Sequence, residues 1–271
     1  MTTPTDLTTP TDMTNPTDLS RTLTLARAEA TLLLRNKTAT SIAVLTPPLI
    51  VPLVSLMPTS AGLPALVMAM LTGTALLFVV YYTLVTSAVA RREEHYLKRL
   101  YTSTARPVTI LVAMVLPLLV LLAIQLALGF AAVWALLDYR PNWHILLVLV
   151  AALLGAAAWW ALALASTVFT RTVESAQLTT LPLLMVALLF SGLSLPLALM
   201  PDPAVLLAQF TPMFPVVDLV YLGMAGIRIS GETVAGAELL RAVAIDAAVL
   251  IGWTAAGLAF VRSRFRWEPR R

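Results

Sequence analysis

Residues 63–90 and 108–137 carry no charged side chain. A bilayer core about 30 Å thick takes roughly 20 apolar residues at about 1.5 Å each. Each run is therefore long enough to cross a membrane as a helix. A soluble core of this size has no use for such runs. Further spans are expected at about 38–57, 144–169, 176–200 and 238–261. The composition agrees: 59% of the residues are hydrophobic and 12% are charged, against about 45–50% and about 25% in soluble domains. An ordinary globular protein, a disordered chain and a secreted disulfide scaffold are excluded. There is no cysteine, so thiol chemistry and Cys-type metal sites are excluded too. The two histidines, His95 and His144, are not spaced as ligands, and no metal is expected. The net charge of +4 comes from basic residues scattered among apolar spans, which does not point to nucleic acid. Arginine far exceeds lysine in an Ala- and Leu-rich chain, which suggests a GC-rich bacterial genome.

Residues 1–19 repeat a Thr/Pro/Asp hexad and read as a disordered tail. Residues 20–37 place Leu23, Ala26, Ala30 and Leu33 or Leu34 on one helical face, with Arg27, Glu29, Arg35 and Lys37 between them. Ser20 is the expected N-cap. This segment is expected to be an amphipathic helix in the membrane interface. Residues 38–262 form the transmembrane domain, and residues 263–271 form a basic cytoplasmic tail.

Residues 203–222 are long enough for a span but hold three prolines and Asp218. Lysine and arginine accumulate on the cytoplasmic side of membrane proteins. With six spans the inside receives the basic residues of 20–37, of 91–106 and of the tail, together with Arg171. Arg140, Arg228 and Arg241 remain outside. A seventh crossing would move the tail arginines out. The expectation is therefore an all-α protein of six transmembrane helices. Both termini are cytoplasmic, and an outer re-entrant hairpin lies between helices 5 and 6.

The loop after the second span, residues 89–107, is charged, yet Tyr96, Leu97, Leu100 and Tyr101 share one helical face. Glu94 and Lys98 stand at i, i+4, and Arg106-Pro107 ends the helix. A short helix tied to two membrane helices is suited to being pushed by a partner. The stretch Arg92-Glu93-Glu94-His95-Tyr96-Leu97-Lys98-Arg99-Leu100, running on to Pro107, resembles a known motif. It is the Glu-Arg-Glu-x-Gly-Thr-Leu-x-x-Leu loop of the membrane subunits of type-2 ABC exporters. His95 and Tyr96 replace the usual Gly-Thr. Glu174-Ser175-Ala176-Gln177, Ser191-Gly192, Pro196, Pro201, Pro212, Pro215 and Asp218 are similar to later features of that family.

The resemblance implies a permease half in the bacterial plasma membrane. It would pair with a second permease, either an identical copy or a related chain. Residues Glu93 to Tyr101, including Lys98, Arg99 and Tyr101, would form the helix that rests on a cytoplasmic ATPase, with two ATPase subunits per complex. The chain has no phosphate-binding loop, so ATP and Mg would sit on the partner, and the chain itself would be neither an enzyme nor a cofactor binder. The implied cargo is an amphiphilic or hydrophobic compound such as a drug, antibiotic, lipid or glycolipid, which would connect the protein to drug or antibiotic resistance.

Phe78, Tyr81, Tyr82, Phe190, Asp218 and Asp246 are candidates for a substrate path or gate. The plainer readings are lipid contact or packing for the aromatics and helix capping for Asp218; Asp246 could partner Arg241, and its plainer reading is a merely interfacial place near the outer end of its span. Gln125 and Gln177 suit hydrogen bonding between helices, while Ser191-Gly192 and residues 155–158 suit close helix packing. The alternative function is a carrier or channel that runs without an ATPase. An intramembrane enzyme lacks its required histidines, and a purely structural or immunity protein is opposed by the charged loop helix.

Overall fold

The computed structural model describes residues 18–35, 62–96, 107–140 and 143–264. The hexad tail before residue 18, the expected first span at 38–57, most of the C-terminal tail, and Leu97, Lys98, Arg99, Leu100 and Tyr101 lie outside the described residues. The described chain is helical apart from turns and one isolated bridge between Ile227 and Thr233.

The first helix, α1, is Asp18–Arg35. It begins before the expected cap, so Ser20 lies within the first turn, where its carbonyl accepts from Thr24 Oγ1 at 2.9 Å. The second, α2, runs continuously over Leu63–Glu93. Pro64 stands in its first turn, where the missing N–H costs nothing. Its middle section, Ala75–Tyr82, winds as a π-helix. The hydroxyl of Thr83 donates to the carbonyl of Phe78, five residues back, at 2.8 Å. A run of π-helix is rare and often accompanies function.

Next come α3, Pro107–Leu137, and α4, Leu146–Thr167. Then α5 is Val173–Leu189, a shorter apolar helix than the span expected to continue to residue 200. The chain leaves helical geometry at Phe190 and turns at Gly192, whose φ is +77°. Two short helices follow, α6 at Asp202–Gln209 and α7 at Phe214–Ala225, bent by 85°. That bend is the geometry of a broken span or a re-entrant loop. The last helix, α8, is Gly236–Arg264.

Four of these helices are long and apolar enough to cross a membrane, or five crossings if the bent pair counts as one. α2 is the most buried of the four and α8 the least. α4 packs mainly against α8, α7 and α2, while α1 lies against α3. Small residues permit the tight crossings. A Cβ on Gly155 would stand 2.8 Å from Leu76 Cδ1 and 2.9 Å from Val216 Cγ2, and one on Gly257 would stand 2.9 Å from Ala161 Cβ. Hydroxyls inside the bundle bond to their own helix, as Thr72 does to the Met68 carbonyl and Thr180 to that of Ala176, each at 2.7 Å. Such bonds satisfy these hydroxyls where no water reaches them.

Candidate functional site

The final turns of α2 read Ala-Arg-Arg-Glu. Adjacent residues on a helix point about 100° apart, so Arg91 and Arg92 serve different neighbours. Arg91 donates to both carboxylate oxygens of Glu29 on α1, from Nε at 3.3 Å and Nη2 at 3.0 Å. It also lies 4.0 Å from Glu94 and 5.8 Å from the ring centre of Tyr96. Glu94 therefore has a partner within its own helix end, apart from the Lys98 spacing read from sequence.

Arg92 turns inward and is 2% exposed. It donates from Nη1 to the Thr167 carbonyl at 2.9 Å and from Nη2 to the Thr170 carbonyl. Thr167 is the last residue of α4, where carbonyls lack intrahelical donors and carry partial negative charge, and Thr170 lies three residues beyond it. The corner continues into α5. Thr170 and Thr179 share a 2.8 Å hydroxyl contact, and Thr172 and Ser175 form a reciprocal cap at the start of α5. The polar cluster expected at Glu174-Ser175-Ala176-Gln177 thus serves to start a helix. Gln177 itself points outward and is exposed.

Glu93, Glu94 and His95 are exposed beyond this clamp. His95 has φ +58°, the left-handed conformation that glycine adopts without penalty. The histidine thus occupies a position where the backbone geometry itself favours glycine. Of the expected loop helix, Tyr96 is the last residue described.

The aromatic candidates do not form one wall. Tyr81 is fully buried, meets Trp159 edge-on at 5.3 Å, and shares a 2.9 Å contact with the Ser166 hydroxyl. Its role is to bind α2 to α4. Phe78 is exposed, while Tyr82 and Phe190 are half-buried. An apolar groove of about 520 Å³ does lie between α3 and α4, against Leu126, Phe130, Val148 and Ala152, and none of the four aromatic candidates lines it. Ser191 is buried and donates to the Leu188 carbonyl at 2.8 Å. Gly192 makes room for a loop side chain, since a Cβ there would stand 2.5 Å from Ile229 Cδ1.

At the opposite end of the bundle the two acidic candidates do meet. Asp218 is fully buried in the body of α7 and caps no helix start, which corrects the capping expectation. It accepts from Arg228 Nε at 2.9 Å and Nη2 at 2.7 Å, and from the Ile229 backbone N–H at 2.7 Å. Asp246, on α8, is 2% exposed and stands beside Asp218 and Arg228, not Arg241, which is exposed. Among the described residues its Oδ2 has no hydrogen-bond partner. Burial works against the charge of Arg228. The adjoining Asp218, with Asp246 and Glu232, outweighs it and holds the guanidinium pKa above its ordinary value.

Sequence reading does not single out Arg228 as part of a site. The available signal is a pair of glycines around it. Gly226 ends α7 at φ +68° and Gly231 reverses the chain at φ +88°, which folds Arg228 back onto the helix it has just left. No group of three or more potential metal ligands occurs among the described residues.

A family model described as ABC-2 family transporter protein matches residues 4–260 of the chain. No curated protein matches it.

Proposed function

Because the chain belongs to the ABC-2 transporter family, we propose that it is the membrane subunit through which a separate ATPase drives export. It is a multi-pass membrane protein of that family. Export of an amphiphilic or hydrophobic compound is the reading that suits spans almost free of charge. The observation that carries it is the corner at the end of α2. Arg91 joins the corner to α1, and Arg92 joins it to the end of α4. A push delivered just beyond Glu93 would reach three helices at once.

In this reading the corner faces the cytoplasm, as does the C-terminal end of α8. The full layout is six spans in the bacterial plasma membrane with both termini inside, and the bent pair α6–α7 is re-entrant. Two permease subunits, identical or related, enclose the path, and each meets one ATPase, which holds ATP and Mg. The segment from Glu93 to Tyr101 makes that contact. The test is purification from native membranes in mild detergent. A nucleotide-binding ATPase co-elutes, and Leu97→Asp releases it. A chain that elutes alone, with and without ATP, overturns the reading.

The buried carboxylates Asp218 and Asp246 favour a second reading, an ATPase-free carrier driven by an ion gradient. Liposomes holding this chain alone distinguish the two, since only the carrier accumulates substrate without ATP.

A further inference from the structure

Beside the Glu29–Arg91 pair lies a cavity of about 330 Å³, enclosed by α1, α2, α3 and the start of α5. Its walls change character along the bundle axis. The polar rim, at the end of the bundle where α2 finishes, carries Glu29 and Arg91, with the hydroxyl residues Thr86 and Ser87 on the same helix as the arginine. The part further along α3 is apolar, formed by Met114, Pro117 and Leu118. Leu32 of α1 and Val173 of α5 flank it, and both are exposed. The polar part lies at the charged end of the bundle. The apolar part lies two to three turns into α3 from its first residue, Pro107.

The rim contains one carboxylate and one guanidinium bound to each other, with side-chain exposures of 8% and 13%. The rim is therefore neutral as a whole but offers an acceptor and a donor of opposite charge side by side. A ligand that is only anionic must compete with Glu29 for Arg91. A ligand that is only cationic must compete with Arg91 for Glu29. A headgroup bearing both charges can exchange the internal pair for two charge-assisted hydrogen bonds of its own. An apolar tail then continues along Met114 and Leu118.

We propose that this cavity binds a zwitterionic amphiphile, one with an ammonium and a phosphate or carboxylate on an apolar tail, drawn from the membrane leaflet at the charged end. Binding itself needs no ATPase. Use of the cavity as an access point for cargo rests on the export reading above.

The test uses the full chain alone in nanodiscs, probed with photoactivatable phosphatidylethanolamine and, separately, photoactivatable phosphatidylglycerol. Crosslinks from the zwitterionic probe are expected to concentrate on the peptides holding Leu32 and Ser87. They should exceed those at Leu153, an exposed α4 position, by about tenfold, the factor that a charged hydrogen bond supplies. The anionic probe should show no such enrichment. Ser87→Phe, which fills the cavity, and Glu29→Gln, which removes one rim charge while keeping its shape, should each abolish the enrichment. Equal labelling at Ser87 and Leu153, or equal enrichment of both probes, overturns the proposal. With the ATPase partner and ATP present, movement of the probe to the far leaflet marks it as cargo, and retention marks it as a resident lipid. The labelling without ATPase alone decides the site, and this last measurement decides only whether its occupant is moved.

Discussion

Arg228 is bonded to the buried Asp218 and stands beside the buried Asp246 at one end of the bundle, and the proximity of the two carboxylates makes the arginine hard to replace. Arg228→Gln keeps a hydrogen-bond donor but leaves Asp218 and Asp246 facing each other with no cation. Removing one partner of a buried ion pair costs about 3–5 kcal/mol. The arginine side chain is 24% exposed, so the expected loss is at the low end, about 3 kcal/mol. Asp218→Asn should cost less, although its NH2 then faces one of two donors, because the remaining arginine is partly exposed and keeps Asp246 beside it. Thermal unfolding of both variants in detergent checks the order, and a milder effect at Arg228 would sink the argument. His95 is the opposite case. Its left-handed backbone costs a non-glycine residue roughly 1–2 kcal/mol, part of which glycine loses again to chain entropy. His95→Gly is therefore expected to raise stability by about 1 kcal/mol in the same assay. A decrease would mean that the imidazole itself makes a needed contact.

Helices in this protein meet either through small residues or through single polar clamps. Gly155 is the clearest small-residue contact, touching both α2 and α7. Gly155→Val must push those helices apart, and overpacking of this kind costs about 1–3 kcal/mol. Gly252 lies on α8 with open space around it, nothing standing within 4 Å of where a Cβ would sit. Gly252→Ala should be neutral or stabilising by up to about 1 kcal/mol, since alanine is the better helix former. Expression and unfolding of the two variants side by side separate packing from helix propensity. The main polar clamp is Arg92. Lysine keeps its charge but cannot present two donors in a fixed fork. Arg92→Lys should therefore keep the bundle folded and loosen α2 from α4. In the proposed complex with an ATPase, nucleotide hydrolysis should persist while transport falls. Equal loss of both activities would mark Arg92 as a purely structural residue.

On the scale of the whole molecule the proposed orientation rests on the distribution of charge. Arg91, Arg92 and Glu29 mark one end and Arg228 the other, so an experiment on sidedness tests the entire layout. The chain contains no cysteine, so single replacements can be labelled cleanly. Arg140→Cys is expected to react with an impermeant maleimide in intact cells, and Ser263→Cys only after permeabilisation. Labelling of both from outside would mean that α6 and α7 together cross the membrane. Among the described residues Leu240, Ile245 and Ile251 of α8 are exposed, a face that the proposed layout sets against lipid or a second subunit.

The sequence by itself determined the class of the protein, since charge-free runs of this length leave the backbone one solution in lipid, the helix. It also located α2, α3, α4 and α8 to within a few residues, because each run ends at a charge, a proline or a glycine. The short bent helices between α5 and α8 were legible from the prolines around Asp218. The partners of the polar residues were not. Helical periodicity states which residues share a face but carries no information about what that face meets. Arg91 and Arg92 look alike in sequence, yet one binds α1 and the other closes the end of α4. Asp246 reads as a partner of Arg241, one turn and a half away on its own helix. Only the packing of α8 beside α7 brings it to Asp218, and only the reversal at Gly226 and Gly231 brings Arg228 to both. Such contacts depend on distances across the bundle, and those are fixed by how helices cross at Gly155 and Gly257, after the helices themselves have formed.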